Sequence, residues 1–376
     1  MYDVNIVRCE NYEKENVEKA LLALIQLTGG LEWVTPNMNI VIKANLVTHM
    51  KPEQAATTHP TLLCELVKLL TSRGANVVLG DSPGGLYTPS FVNRVYVATK
   101  VNCITKLGGK LNQNFEKELA KFPEGKVLKD FEYTAYLKDA DAIINFCKLK
   151  SHGMMGMSAA TKNLFGTIPG TLKSEYHFRF PNHADFADML IDLNEYFKPK
   201  LCIVDAIIGM EGNGPTKGTP RHIGALLAST NPYKLDLACS RIMGLEKENV
   251  TTLEAAYKRN LIPQTYKELS YNQNIDDFVV KDYKNILVHT GILFEDKPKL
   301  IKKIISKCLK STPKLDKSIC IGCKKCYEIC PAKAITFKRN TPHINRKKCI
   351  SCFCCQEFCP AGAMKVKRPL VAKILN

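Results

Sequence analysis

The chain has 376 residues, of which 45% are hydrophobic and 24% charged, a composition typical of a globular protein with a sizeable core. It contains no run of about 18 uncharged apolar residues, so no membrane span is predicted. Its acidic, amphipathic N-terminus differs from a secretory signal, and a cytoplasmic protein is therefore predicted. The net charge of +17 favours an acidic partner protein or an anionic small molecule. Nucleic acid is disfavoured, because no nucleic-acid-binding motif accompanies the lysines.

Short apolar runs alternate with longer amphipathic stretches through positions 1–300, the order expected of an α/β domain. Several runs are rich in Val and Ile, which is typical of a parallel sheet with helices on both faces. Strands are predicted at 4–9, 39–47, 75–81, 141–148, 200–208 and 222–230. Helices are predicted at 14–27, 60–73, 88–100, 184–197 and 232–243. We therefore predict an α/β fold for residues 1–300, with a mostly parallel sheet flanked by helices.

Four of the predicted strands run directly into polar or charged residues. In open α/β sheets the carboxyl ends of the strands converge on a ligand crevice, so these residues are predicted to meet at one site. The stretch GMEGNGPTKG (209–218) lacks the order of a P-loop and is either a turn-rich connection or a backbone nest for an anion. The candidates for substrate binding are Lys43, Asn45, Asp81, Ser82, Lys150, Asn163, Asp205 and Asn213.

The stretch KLKSHGMMGMSAATKNLFGTIPG (148–170) follows one of these strands and supplies most of the catalytic candidates. A short helix is predicted from Thr161 as its N-cap, which places Lys162 in the first turn, where the helix dipole opposes a cation. Lys162 is therefore expected to hold an anion or to act as a nucleophilic amine. His152 or His177 would supply a proton, unless these histidines are hydrogen-bonded structural residues. Lys148 would stabilise developing charge.

Eight of the 16 cysteines form two runs with the same spacing, C-x2-C-x2-C-x3-C-P, within an internal repeat that aligns Cys320 with Cys349. In this arrangement three cysteines of one run and the fourth of the other bind each [4Fe–4S] cluster. Disulfides are disfavoured because no export signal is recognised. Zinc ribbons are disfavoured because they use two C-x2-C pairs without a third cysteine at this spacing. One predicted ligand set is Cys320, Cys323, Cys326 and Cys359. The other is Cys349, Cys352, Cys355 and Cys330.

Residues 312–368 resemble bacterial two-cluster ferredoxins, which implies a small α+β domain with two [4Fe–4S] clusters. A basic linker is predicted at 301–311 and a C-terminal tail at 369–376. The additional Cys354 is either a bystander thiol or a substitute ligand. The remaining cysteines are predicted to be small core residues, and they are Cys9, Cys64, Cys103, Cys147, Cys202, Cys239 and Cys308.

Motifs within positions 1–300 resemble the family called domain of unknown function 362. They are VIKANLV, ATTHP, VVLGDSPGG, KLKSH with TKNLFGTIPG, VDAIIGMEGNGP and KLDLACSRIMG. This resemblance implies a fold but no reaction. The chain is also distantly similar to nickel-pincer lactate racemases, since His152 and Lys162 have the separation of that family's histidine and cofactor-bearing lysine. Ala160 and Thr161 replace that family's glycine pair, and a second histidine of the family has no clear counterpart near Asp81.

These observations predict an iron–sulfur oxidoreductase. The two clusters would pass low-potential electrons, on the order of −400 mV, to a substrate or cofactor in the crevice. Asp81 and Asp205 would orient the catalytic groups or bind a metal, and an electron donor or acceptor protein is implied. One alternative is a non-catalytic electron carrier or maturation partner for another protein. A further alternative is a nickel-pincer-like racemase or hydride-transfer site, with an additional cofactor in the α/β domain.

Overall fold

The computed structural model describes residues 2–286 and 311–367. Its strands are β1 (Asn5–Arg8), β2 (Asn39–Lys43), β3 (Asn76–Gly80), β4 (Lys110–Leu111), β5 (Lys117–Lys121), β6 (Asp130–Thr134), β7 (Ala142–His152), β8 (Gly156–Ser158), β9 (Leu201–Glu211), β10 (Thr219–Ser229), β11 (Thr312–Leu315), β12 (Ile335–Lys338), β13 (Thr341–Ile344) and β14 (Met364–Lys367). Its α-helices are α1 (Lys14–Leu27), α2 (Pro60–Thr71), α3 (Pro89–Ala98), α4 (Ala160–Asn163), α5 (Leu172–Arg179), α6 (His183–Phe197), α7 (Pro232–Ile242), α8 (Thr251–Lys258), α9 (Lys325–Glu328) and α10 (Cys354–Glu357).

The central sheet has the strand order β1-β10-β9-β7-β2-β3-β4, with the short β8 paired to β7. Five neighbouring strands, from β9 to β4, are parallel, whereas β10 runs antiparallel to both of its neighbours, β9 and β1. Alternate residues of β2 enter different cores: Ile40 and Ile42 pack with α1 and α2, and Val41 packs with α6 and α7. The predicted α/β fold, with a mostly parallel sheet flanked by helices, is confirmed.

All six predicted strands and all five predicted helices are present, and the first helix has its predicted bounds of 14–27. The β5–β6 hairpin was not predicted. The strand predicted to end at residue 148 continues to His152, and all eleven residues of β7 are buried. The opening of the 148–170 stretch is therefore part of the sheet and not a loop.

The C-terminal segment repeats one strand–helix–strand unit. Strand β11, helix α9 and strand β12 of the first unit correspond to β13, α10 and β14 of the second. The first strand of each unit pairs with the second strand of the other, β11 with β14 and β13 with β12. The pairing gives the two units a pseudo-twofold relation, as expected for the ferredoxin-like segment.

Two of the cysteines predicted to be small core residues, Cys64 and Cys103, instead form a disulfide between α2 and the 3-10 turn Val101–Leu107. Cys9, Cys147, Cys202 and Cys239 are free and buried, and Cys308 lies outside the described residues. Most of the predicted linker and the whole predicted tail also lie outside them. No helix in residues 2–286 and 311–367 is long and apolar enough to cross a membrane.

Candidate functional site

The carboxyl ends of β2, β3 and β7 open onto a pocket that helix α10 of the C-terminal segment covers. We call it the inner pocket. The space between its lining residues, including the part open to solvent, is about 740 Å³. Seven of the predicted site residues line it: Asn45, Asp81, Ser82, Lys150, Lys162, Asn163 and His177. Its other lining residues include Lys173, Ser174, Cys354, Glu357 and Phe358, none of which was among the predicted site residues.

Lys150 forms one wall of the inner pocket and has only neutral hydrogen-bond acceptors. Its Nζ donates to Asn45 Oδ1 (2.6 Å) and to the backbone oxygen of Ala56 (2.7 Å). Asn45 in turn donates from Nδ2 to Asn163 Oδ1 (2.9 Å). Because burial disfavours the charged amine and no carboxylate contacts it, the pKa of Lys150 falls to about 7.

Lys43 and Asp81 form a buried ion pair in the pocket floor. The two groups are 2.8 Å apart, and the other oxygen of Asp81 accepts the backbone N–H of Leu46 (2.8 Å). Gly166 covers the pair so closely that a Cβ at this position would collide with both Asp81 Oδ1 and Lys43 Nζ. Lys43 therefore lies behind the pocket and neutralises Asp81, instead of contacting a ligand.

Lys173 reaches the inner pocket from helix α5. Its Nζ donates to Ser82 Oγ (2.9 Å) and to the backbone oxygen of Ile168 (2.6 Å), both neutral acceptors. Burial lowers the pKa of Lys173 to about 7, against a smaller opposing effect of Asp81. The sequence gives one signal for this residue, its place shortly after the glycine-containing stretch that ends at Gly170.

Lys162 is the residue whose amine is most available to a ligand. Its Nζ lies 5.7 Å from the centre of the Phe165 ring and makes no hydrogen bond or ion pair within residues 2–286 and 311–367. Burial lowers the pKa of Lys162. Helix α4 begins at Ala160, and the carboxylate of Asp236 accepts the N–H groups of Ala160 (2.7 Å) and Thr161 (3.1 Å). The prediction of Thr161 as N-cap was therefore wrong, because α7 supplies the capping group.

The two candidate histidines have different surroundings. His152 Nδ1 accepts the N–H groups of Met154 (3.1 Å) and Met155 (3.2 Å), which leaves the proton on Nε2, 3.2 Å from Glu357 Oε1. His152 thus lies outside the pocket lining and orients Glu357. His177 lines the pocket, stacks on Phe186 at 4.3 Å, and its buried Nδ1 has no hydrogen-bond partner among the described residues.

Burial and the nearby lysines set the protonation of these groups. Burial lowers the pKa of His152 to about 4 and that of His177 to about 3, so both rings are neutral at pH 7. Burial alone would raise the pKa of Glu357, but the close contact with His152 and the charge of Lys162 outweigh it and lower that pKa to about 2. Glu357 is therefore the charged member of its pair with His152.

Lys148 and Asp205 lie away from the inner pocket. The β7–β9 register places them opposite each other, and Lys148 Nζ is 2.9 Å from Asp205 Oδ2. Tyr12 completes the cluster, because Lys148 contacts its hydroxyl (2.6 Å), which donates to Asp205 Oδ1 (2.7 Å). The register shifts between Lys148 and Lys150 because β9 has extra residues there, so Lys150 lies opposite Met210. The charges of Lys148 and Asp205 are therefore satisfied within the protein.

Asn213 lies at the contact between the α/β part and the C-terminal segment. Its side-chain oxygen accepts a hydrogen bond from Gln356 Nε2 (3.0 Å), and Gln356 is completely buried. Close by, Lys217 Nζ donates to the backbone oxygen of Pro360 (3.2 Å). The segment 209–218 thus contacts the C-terminal segment, and Asn213 does not line the inner pocket.

A second space, which we call the outer cleft, lies between the α/β part and the C-terminal segment. It encloses about 2190 Å³, open solvent included, and shares Thr48, Gly84, Ser174, Glu357 and Phe358 with the inner pocket. The outer cleft therefore leads into the inner pocket. Its basic lining residues are Arg94, Lys217 and Lys325, and Cys359 forms part of its wall.

The eight cysteines of the two runs line two small enclosed spaces. The first, cage I, is lined by Cys320, Cys323, Cys326 and Cys359. The second, cage II, is lined by Cys330, Cys349, Cys352 and Cys355, and also by Cys354. Each set combines three cysteines of one run with the fourth of the other, the combination predicted from the spacing.

Backbone N–H groups point at the sulfur of two cage cysteines. Ala334 N–H points at Cys330 Sγ and Ala363 N–H at Cys359 Sγ, both at 3.2 Å and at positions related by the repeat. Four cysteines per cage, with N–H groups directed at sulfur, fit a [4Fe–4S] cluster. Cys354 lines both cage II and the inner pocket, so it separates the two spaces by a single side chain.

Two family profiles match the chain. The family described as Domain of unknown function (DUF362) matches residues 40–241, and a 4Fe-4S dicluster domain matches residues 312–360. Both resemblances predicted from the sequence are confirmed, and 4Fe-4S binding is supported.

The chain is 30% identical over 276 residues to the thylakoid-associated protein sll1697 of Synechocystis, an alignment that covers 71% of this chain and 82% of that protein. Among solved structures, the lactate racemase apoprotein of Thermoanaerobacterium thermosaccharolyticum has a TM-score of 0.42 and 13% identity. The match covers 65% of this chain and 58% of the racemase. A Thermotoga maritima protein has a TM-score of 0.34 and 14% identity, with 57% and 55% covered.

Proposed function

The chain belongs to the Domain of unknown function (DUF362) family and carries a 4Fe-4S dicluster domain, and from this premise we propose that it is an iron–sulfur oxidoreductase with an anionic substrate. Two [4Fe–4S] clusters in cages I and II would supply low-potential electrons one at a time. The substrate would bind in the inner pocket. A cytoplasmic location is a further part of this proposal. The Synechocystis relative, by contrast, is named as thylakoid-associated.

The position of Cys354 is the observation that carries the proposal. This residue lines the inner pocket on one side and cage II on the other. A ligand in the pocket would therefore be separated from the cysteines of cage II by one side chain. Such a short separation suits direct electron transfer from cage II to the ligand.

The charges around the inner pocket support an anionic ligand. Lys43 neutralises Asp81, so Glu357 is the carboxylate left to balance the amines of Lys150, Lys162 and Lys173. Neutral acceptors hold the amines of Lys150 and Lys173, and that of Lys162 has no partner among the described residues. An anion placed between these amines would gain charge-assisted hydrogen bonds in a largely desolvated site.

Protonation of a reduced substrate falls to the lysines in this proposal. His152 and His177 are neutral near pH 7, whereas Lys150 and Lys173 exchange a proton close to that pH. Lys173 is held by Ser82 at the pocket wall, where its ammonium can donate a proton to the ligand. His177 would position the ligand through Nδ1. This replaces the histidine acid expected from the sequence with a lysine acid.

The open pocket favours an enzyme over a simple electron carrier. A carrier has no need for a space lined by amines beside its cluster, and side chains from its own core could fill it. Here the inner pocket reaches Cys354 and shares five lining residues with the outer cleft. We therefore retain catalysis as the proposed function.

Reoxidation of the reduced protein tests the proposal. Anaerobically purified protein is reduced, freed of reductant, and mixed with a series of carboxylated and phosphorylated acceptors while cluster absorbance is followed. An acceptor that fits should reoxidise the clusters at a rate that saturates with its concentration. Ser174 lines both the pocket and the cleft, so Ser174→Trp should block this reaction. The exposed Ser72→Trp is the control. Equal rates in both variants would refute the pocket as the site of reduction.

A further inference from the structure

We propose that the surface around cage I docks a small acidic one-electron carrier protein, which delivers electrons to cage I. This surface, the entry face, comprises Ile319, Ile321, Cys323, Lys324 and Tyr327. The inference rests on the proposed function, because it names the electron donor for the reduction in the inner pocket. In each encounter one carrier is oxidised by one electron and one cluster is reduced by one.

The entry face differs sharply in exposure from the repeat-related positions. Cys323 is exposed, and Ile321 and Tyr327 have 68% and 53% of their surface accessible. The position equivalent to Tyr327 is Gln356, which is completely buried against the α/β part. Lys324, exposed beside cage I, corresponds to Phe353, which is buried in the main hydrophobic core. Cage I therefore faces solvent, while cage II faces the pocket.

Apolar side chains are concentrated at the entry face. Of the eleven large hydrophobic residues that are exposed in the described parts of the chain, three lie within residues 319–327. They are Ile319, Ile321 and Tyr327. Exposed apolar residues grouped around a cofactor site are typical of a protein-docking surface, whose centre is apolar and whose rim is polar.

The charge around the entry face determines the kind of partner. Residues 311–340 contain seven Lys and Arg but only two Asp and Glu. One of these two acids, Asp316, is already paired with Lys365 at 2.6 Å. A surface with this excess of positive charge attracts an acidic protein and accelerates its association at low ionic strength.

Together these features give a direction of electron flow. Electrons would enter at the exposed cage I, pass to cage II, and reach the inner pocket past Cys354. The two cages are linked directly through the exchange of their fourth cysteines, since Cys359 follows α10 but lines cage I, and Cys330 follows α9 but lines cage II. An electron delivered at the entry face therefore has a route that stays inside the protein.

Stopped-flow reduction of the holoprotein tests this inference, with a purified reduced acidic [2Fe–2S] ferredoxin as the probe. The wild-type rate should fall steeply as ionic strength rises, because salt screens the attraction. The double variant Lys317→Glu/Lys324→Glu should be reduced about tenfold more slowly at low salt. Its matched control is Lys347→Glu/Lys348→Glu, an equal charge change on exposed lysines next to cage II. The control should keep at least half of the wild-type rate.

A second variant and a chemical reductant separate the possible failures. Ile321→Ser should slow reduction by the ferredoxin without changing the net charge or the rate with dithionite. If both charge variants are slowed equally, the entry face is wrong and the attraction is only general. If Lys317→Glu/Lys324→Glu keeps the wild-type rate, docking elsewhere replaces this proposal. Reoxidation by a pocket acceptor after dithionite reduction tests the proposed function separately, because it bypasses the entry face.

Discussion

The two halves of the cysteine-rich segment share a fold but differ in their surroundings. Both contain strand, helix and strand with cysteines at equal spacing, and left-handed backbone recurs at equivalent positions, Lys324 and Phe353 among them. The helix of the first half, α9, is mostly exposed, whereas the helix of the second half, α10, covers the inner pocket. The two halves thus place their cysteines in the same way, and their other residues differ according to what each half contacts.

The difference is clearest in pairs of residues related by the repeat. Lys325 corresponds to Cys354, and the exposed Glu328 corresponds to Glu357, which His152 contacts at 3.2 Å. The same backbone thus presents solvated charges in one half and pocket-lining groups in the other. One half can face a carrier and the other a substrate, without any change in how the cysteines are placed.

Substitution of one cysteine in each cage should have the largest effect on iron content and electron transfer. It tests most directly whether the two halves have different roles. Cys326→Ala and Cys355→Ala are each expected to lower the iron content from about eight to about four per chain. Only the Cys355→Ala protein should fail to pass electrons from dithionite to a pocket acceptor, since cage II adjoins the pocket. Metal analysis and single-turnover reoxidation measure both effects. Equal loss of transfer in the two variants would contradict separate roles for the cages.

Lys162→Met should have the next largest effect. It removes the amine that has no partner among the described residues, and acceptor binding should weaken about 100-fold, equivalent to roughly 2–3 kcal/mol for one charge-assisted hydrogen bond. The exposed Lys281→Met serves as control and should bind as wild type. Titration of reoxidation rates gives the affinity. Intact mass of the wild-type chain should show an unmodified Lys162; added mass there would instead support a covalent cofactor.

The pH dependence of acceptor binding should be intermediate in size. Lys173 faces Asp81, Lys43, Lys162 and Glu357, and its lowered pKa of about 7 makes it cationic below that pH and neutral above it. An anion prefers the cationic form, so affinity should fall as pH rises through 7, by up to about tenfold per pH unit for each proton taken up. Lys173→Arg keeps its charge and should make this profile shallower, leaving the part that is due to Lys150. A wild-type affinity that is constant from pH 6 to 9 would show that Lys173 does not contact the ligand.

The smallest expected effect is a change in the free energy of unfolding. It tests the contact between the second half of the cysteine-rich segment and the α/β part. Gln356→Ala removes the hydrogen bonds to Asn213 and leaves buried polar groups unpaired, which should lower the free energy of unfolding by about 1–3 kcal/mol. The repeat-related Tyr327→Ala is exposed and should change it by less than about 0.5 kcal/mol. Chemical denaturation of the holoprotein under anaerobic conditions gives both values. A larger loss for Tyr327→Ala would contradict the assignment of the exposed half.

Local sequence patterns predicted the sheet and part of the pocket. Asn45 and Asp81 follow β2 and β3, and Lys150 lies near the end of the parallel neighbour β7, so the rule that ligands bind at strand ends was sufficient to bring them together. Lys148 and Asp205 were predicted at strand ends, but they lie inside β7 and β9, whose register pairs them with each other. A register between strands far apart in the chain, with its local shift, has no signature in either strand alone.

The residues that cover the inner pocket could not be predicted from local sequence patterns. Glu357 and Phe358 come from a segment far along the chain from the 148–170 stretch, and the docking of two separately patterned parts depends on the shapes of both. The sequence singled out Cys354 only as an extra thiol. Lys173 and His177 were visible in the stretch after Gly166, but only packing shows which of the two histidines faces the pocket.

The exchange of fourth cysteines also determines the order in which the two sets of four cysteines become complete during synthesis. As the chain emerges from the ribosome, the four cysteines of cage II are complete once Cys355 has been added, whereas cage I must wait for Cys359. The residues between these two cysteines are Gln356, Glu357 and Phe358, which contact Asn213, His152 and the rim of the pocket. The piece of chain that covers the pocket is therefore tethered at both ends, once by each cage. If each cage holds a cluster, as we propose, loss of either cluster would release one tether, so the integrity of the cover would report on both.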